Sequence, residues 1–163
     1  MTKLMLYLDT NMILDVFINH AMAIKKKEEV LLPKKYKFML ANKERIDFMA
    51  SFLTKAEVVR ELHSAYGLEY DEISPVWKKF IESLDCTYLE SFTFDGAIAQ
   101  LAGKMKMRTR TMFNLLHIFI AISKDAYFIS GDTDALLKSK GLELHQKVIS
   151  YTEFRKMIEE GGI

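Results

Sequence analysis

The chain has 163 residues, enough for one domain that buries most of its apolar surface without disulfide or metal staples. Half the residues are hydrophobic and 28% are charged, a globular balance that excludes a disordered or low-complexity chain. A single cysteine, Cys86, excludes an intrachain disulfide and a cysteine-rich zinc site, and it fits a reducing, cytoplasmic setting.

No stretch approaches the ~20 apolar residues that a membrane span needs. Asp9, Asn11 and Asp15 break up the apolar N-terminal stretch, which argues against a signal peptide. The expectation is a single cytoplasmic domain over residues 1–163 with no membrane association. The net charge of +1 hides an uneven distribution. Residues 25–45 carry eight basic side chains against three acids, so the rest of the chain is slightly acidic. A one-sided basic stretch of this kind can steer a polyanion toward one face.

In chain order, residues 4–8 read as a buried strand and 11–24 as a helix. Residues 25–45 read as an excursion from the core, with poor periodicity. "IDFMA" (46–50) is the next strand. A helix opens at Thr54 and runs to Tyr66, where Gly67 is placed to cap it. Ser74-Pro75 reads as the start of another helix, with serine as cap and proline in the first turn. "CTYL" (86–89) is a short strand, 94–106 a helix and 112–123 a strongly apolar helix. "AYFIS" (126–130) is a strand followed by the turn "GDTD" (131–134). A short helix, a last strand around 143–149 and a helix from Thr152 complete the chain. Strands alternating with helices predict an α/β layered fold with a mostly parallel sheet of about five strands.

In such sheets ligands collect beyond the C-terminal ends of the strands. Three acids fall there. Asp9 ends the first strand, Glu57 lies in the first turn of the helix after the second, and Asp132 follows the strand at 126–130. Carboxylates gathered at one edge repel each other and call for a cation, and oxygen-only ligands suit Mg²⁺ or Mn²⁺. Each acid also has a purely structural use. Asp9 can cap the following helix, Glu57 stands at capping-box spacing from Thr54, and Asp132 and Asp134 can shape a turn. Capping alone does not require all of them at one edge.

"LYLDTNMILDVF" (6–17), "SFLTKAEVVREL" (51–62) and "YFISGDTDAL" (127–136) together resemble the PIN domain, which includes the VapC-type toxins of toxin–antitoxin pairs. The resemblance runs through nearly the whole chain, and residues 25–45 match least. It implies a three-layer α/β/α sandwich and a divalent-metal-dependent ribonuclease using Mg²⁺ or Mn²⁺. Carried over by position, Asp9, Glu57 and Asp132 match acids of the catalytic and metal-binding set, and Asp134 an additional acid. The family's third acid opens an apolar helix in a pattern like Asp-x-x-His-x-x-x-Ala. Here that stretch reads "NLLHIFIA" (114–121), so Asn114 stands at the acid's position. An asparagine offers a carbonyl oxygen without charge, so the cation would be held more weakly. A second cation would need Asp134. The resemblance also implies an antitoxin partner covering the acidic crevice, and a homodimer.

Around these acids, Thr10 and Ser130 are placed to hydrogen-bond carboxylates or metal-bound water. His117 lies one turn after Asn114 on the same side of its helix, where it either contacts the site or serves as a core histidine. Lys104, Lys106, Arg108 and Arg110, with no acid among them, suit RNA phosphates flanking a cleaved bond. Tyr36 and Phe38 among lysines either stack single-stranded bases or anchor a loop to the core.

Two other readings compete with the ribonuclease. One is a PIN module with weakened chemistry that binds RNA or a protein, favoured by Asn114. The other is a haloacid-dehalogenase-type phosphohydrolase, which also starts with an aspartate after a strand. That class needs a second acid where this chain has Asn11 and a later one at Leu136, and both positions mismatch.

Overall fold

The computed structural model describes residues 3–91, 96, 109–132 and 145–161. Five strands form one sheet: β1 (Leu4–Leu8), β2 (Ile46–Ser51), β3 (Thr87–Leu89), β4 (Tyr127–Ile129) and β5 (Val148–Ile149). Every pairing is parallel and the order is β3-β2-β1-β4-β5. Six helices accompany them among the described residues: α1 (Thr10–Lys26), α2 (Lys34–Ala41), α3 (Phe52–Tyr66), α4 (Tyr70–Ser83), α5 (Thr109–Ser123) and α6 (Tyr151–Glu159). None of them is long and apolar enough to cross a membrane.

The layering follows from strand alternation. Leu4, Leu6 and Leu8 of β1, with Ile46, Phe48 and Ala50 of β2, join a core that includes Phe17 of α1 and Trp77 and Phe80 of α4. Phe17 stacks on Trp77 with ring centroids 5.6 Å apart. The opposite sheet face presents Tyr7, Met49 and Phe128 to Ile118 and Ala121 of α5. Helices on both faces of the parallel sheet make a three-layer α/β/α sandwich, within the layered parallel fold that the alternating pattern predicts.

Several boundaries differ from the sequence reading. Helix α3 starts at Phe52, capped by Ser51, whose side chain accepts from the Leu53 and Thr54 N–H groups. Thr54 is therefore inside the helix, and Glu57 lies in its second turn rather than its first. The C-terminal cap is Gly67 as expected, at φ 64°, a left-handed conformation that favours glycine. Helix α4 starts at Tyr70 instead of Ser74, because Glu69 and Glu72 form a reciprocal capping box upstream. Pro75 then sits inside the helix.

Within the basic stretch 25–45, α2 is a packed element: Tyr36 and Met39 are buried. Phe38 meets Phe154 edge-on at 5.8 Å between centroids. These two aromatics anchor to the core and are not presented for base stacking. The helix expected over 94–106 and the one expected between β4 and β5 lie outside the described residues, except that residue 96 is helical.

Candidate active site

Strand order reverses beside β1, since β2 lies on one side of it and β4 on the other. Chain segments leaving β1 and β4 diverge there and open a crevice beyond the strand ends. A cleft of about 490 Å³ occupies this place, and Asp9, Glu57, Asn114 and Asp132 all line it. They arrive from four directions: the end of β1, helix α3, helix α5 and the turn after β4. The remaining lining includes Thr10, Asn11, Arg60 and Glu61.

Asp9 is 4% exposed and caps α1. Its Oδ1 accepts from the Thr10 N–H at 2.7 Å, and its Oδ2 accepts from the Ser130 hydroxyl at 2.5 Å. The capping role and the place in the cleft are thus held by the same carboxylate. Burial pushes its carboxyl above the ordinary range, opposed by His117 and the Ser130 hydroxyl. An ionised Asp9 is costly in this position unless a cation compensates it.

Glu57 is fixed by two donors. The Thr10 hydroxyl reaches its Oε1 at 3.0 Å, and His117 Nε2 approaches the same oxygen at 2.5 Å. Thr10 therefore serves both carboxylates, its N–H facing Asp9 and its hydroxyl facing Glu57. Asp132 accepts from the Asn114 amide at 3.1 Å, and its N–H donates to Ser130 Oγ at 3.0 Å. Ser130 in turn links Asp132 to Asp9. Thr10 and Ser130 each hydrogen-bond carboxylates of the cleft.

His117 is both a core histidine and a site contact. It is 1% exposed, with Nε2 on Glu57 and 4.0 Å from Asp9 Oδ1. Its Nδ1 meets the Tyr7 hydroxyl at 2.7 Å, and Tyr7 meets Ser51 Oγ at 2.7 Å. One proton arrangement satisfies the whole chain: Ser51 donates to Tyr7, Tyr7 to His117 Nδ1, and Nε2–H to Glu57. Burial pushes the Tyr7 phenol far above its ordinary range, which keeps it a donor.

Sequence reasoning did not single out Tyr7, although a tyrosine in a fully buried strand signals a hidden polar partner. Nor did it single out Asn11 for the site. The Asn11 side chain accepts from the Gly131 N–H at 2.8 Å and tethers the turn carrying Asp132. A Cβ at Gly131 would come within 3.2 Å of that amide oxygen, so glycine suits this approach.

Asp134, Lys104, Lys106 and Arg108 lie outside the described residues, as does the side chain of Arg110.

The donor set at the cleft fits a hard divalent ion: three carboxylates from separate elements and one amide, all oxygen donors. Among the described residues, no three His, Cys, Asp or Glu side chains already stand as a closed ligand group. The carboxylates are engaged by hydrogen bonds from Thr10, Ser130, Asn114 and His117. A cation here would meet few direct carboxylates and keep waters of its own, as Mg²⁺ does.

No protein-family model matches the sequence, and no curated protein does. Among solved structures, the chain is similar to PAE2754 from Pyrobaculum aerophilum, with a TM-score of 0.52 and 14% identity. The match covers 94% of this chain and 95% of that one. At this identity the likeness speaks for the fold alone, a five-stranded all-parallel α/β sheet.

Proposed function

We propose that the protein is a divalent-metal-dependent ribonuclease that hydrolyses RNA phosphodiester bonds in this cleft. The observation that carries the reading is the gathering of Asp9, Glu57 and Asp132 from separate elements into one open crevice. Capping and turn chemistry account for the acids singly but leave their convergence without a purpose. The PIN-like fold supports the same reading.

In this reading Asp9, Glu57 and Asp132 hold Mg²⁺ or Mn²⁺, with Asn114 as a neutral oxygen donor. When bound there, such a cation would supply Lewis acidity toward a water and the scissile phosphate. The protein's own groups do the positioning. Thr10 and Ser130 orient Asp9, while Thr10 and His117 orient Glu57. The Glu57 side chain is 21% exposed against 5% for Asp9, so Glu57 is better placed to take a proton from an attacking water. Arg60, at the rim, offers a countercharge to the phosphate.

The test is cleavage of a labelled single-stranded RNA by wild type and Asp9→Asn, in Mn²⁺ and in EDTA. The reading expects cleavage only by wild type and only with the metal. Equal cleavage by both proteins, or cleavage unaffected by EDTA, overturns it.

Asn114 favours a second reading, an RNA-binding module with weakened chemistry, because its amide engages Asp132 without adding charge. RNA binding without turnover in saturating Mn²⁺ selects that alternative. If the chain is a toxin, its expression arrests growth, Asp9→Asn does not, and a co-expressed antitoxin relieves the arrest by covering the cleft.

A further inference from the structure

Helix α3 borders a second depression, on the face adjacent to the one that carries Glu57 and Glu61. This hollow of about 510 Å³ is lined by Phe52, Tyr70 and Tyr88 together with Lys55, Arg60 and His63. Among the described residues, none of its lining side chains is acidic. Phe52 is 37% exposed and Tyr70 51%, unusual values for large rings beside a well-packed core. The Lys55 ammonium lies 5.1 Å from the Tyr70 ring centroid and donates to its hydroxyl at 3.0 Å, tying the ring to α3. Tyr88, on the edge strand β3, is braced by an edge-on contact with Trp77 at 5.9 Å.

We infer that this aromatic and cationic shelf binds single-stranded RNA next to the cleft, its rings stacking bases and Lys55 and Arg60 contacting phosphates. Two observations favour RNA as the occupant. The first is chemistry: exposed rings interleaved with cations suit unpaired bases on a polyanionic backbone. The second is continuity, because Arg60 lines both the shelf and the acidic cleft. A strand lying on the shelf therefore passes Arg60 on its way to the carboxylates. Arg60 is exposed and pairs with its neighbour Glu61 at 2.5 Å, and His63 lies 3.8 Å from Glu69. Exposed pairs of this kind contribute little and exchange readily for a phosphate.

The inference rests on the ribonuclease reading for the identity of the ligand, and one set of measurements separates the two. Binding of a fluorescein-labelled single-stranded RNA is followed by anisotropy in EDTA, for wild type, Phe52→Ala, Tyr70→Ala and Tyr70→Phe. Cleavage of the same RNA by wild type is measured separately in Mn²⁺. Each alanine variant is expected to weaken binding by about tenfold, the loss of one stacked base. Tyr70→Phe retains affinity, and a duplex of the same sequence gains nothing from either ring. Both rings are exposed, so the variants should fold, which thermal melting verifies. Unchanged affinity in both alanine variants overturns the inference, as does an absence of RNA binding by wild type, which leaves the shelf to a protein partner. Weakened binding in the variants without cleavage by wild type keeps the shelf and sinks the nuclease. Cleavage with unaltered affinity does the reverse.

Discussion

Helix α3 carries opposite chemistries on adjacent faces. Glu57 and Glu61 face the cleft, where the described lining holds four acids against Arg60 alone. Phe52, Lys55, Val59 and His63 face the shelf, with cations and rings. A third side of the helix, with Leu53, Val58 and Leu62, is buried. The cleft side is rigidly organised: Asp9, Thr10, Ser130 and His117 are all buried and bonded to one another or to Glu57. The shelf side is open and held by surface contacts. Buried polar networks fix geometry at a cost in stability, whereas exposed rings and cations adapt to varied ligands. The contrast is that expected when one region performs chemistry and its neighbour holds a flexible chain.

Substitutions on each side should break different measurements. The largest effect is expected from Asp9→Asn, which should lower Mn²⁺-dependent cleavage by about a hundredfold or more. In EDTA the same variant should melt no lower than wild type, because it removes a buried charge while keeping a partner for Ser130 and the Thr10 N–H. Differential scanning calorimetry checks this, and a large fall in melting temperature would mean that Asp9 is chiefly a structural cap.

Next, His117→Leu should cost about 2 kcal/mol in urea unfolding, since it removes the Nδ1 acceptor of the buried Tyr7 hydroxyl and a donor from Glu57. A loss below a few tenths of a kcal/mol would show that the buried chain is not holding the site together. Smaller effects separate the two regions. Asn114→Asp should tighten Mn²⁺ binding by about tenfold in titration calorimetry, because ligand charge raises affinity for hard ions. The same change should lower stability in EDTA by about 1 kcal/mol, as a carboxylate replaces the amide that donates to Asp132. Tyr70→Ala, by contrast, should leave Mn²⁺ affinity within about twofold.

The smallest effect lies away from both regions. Asp15 on α1 has its Oδ1 buried without a hydrogen-bond partner, and burial raises its carboxyl above the ordinary 3.8 despite the nearby Lys35. Between 3.8 and the raised value the native chain binds more protons than the unfolded one. Its contribution to stability therefore falls as pH rises through that window. Asp15→Asn should flatten this part of the stability profile, which urea titrations from acid to neutral pH can follow.

Much of this was legible in the chain itself. An apolar run ending in Asp9, and another ending in Ser130-Gly131-Asp132, mark strand ends because only there do short polar residues follow a buried segment. The parallel sheet followed from the alternation of strands and helices. The start of α3 was misread because Phe52 and Leu53 prolong the apolar run of β2, hiding Ser51 as the cap. The start of α4 was misread because Pro75 is a strong local signal, whereas the Glu69–Glu72 box becomes visible only with the backbone in place. The Tyr7–His117–Glu57 chain joins residues up to 110 positions apart, and no local pattern reports such a contact. The shelf is hidden for the same reason, since Phe52, Tyr70 and Tyr88 belong to three separate elements.

The central claim is that Asp9, Glu57 and Asp132 converge in order to hold a cation. Anomalous diffraction from a crystal soaked in Mn²⁺ tests it most directly. The account predicts a peak in the cleft within ligand distance of these carboxylates or of waters they hold, absent in Asp9→Asn. An empty cleft at saturating Mn²⁺, or an undiminished peak in that variant, would contradict it.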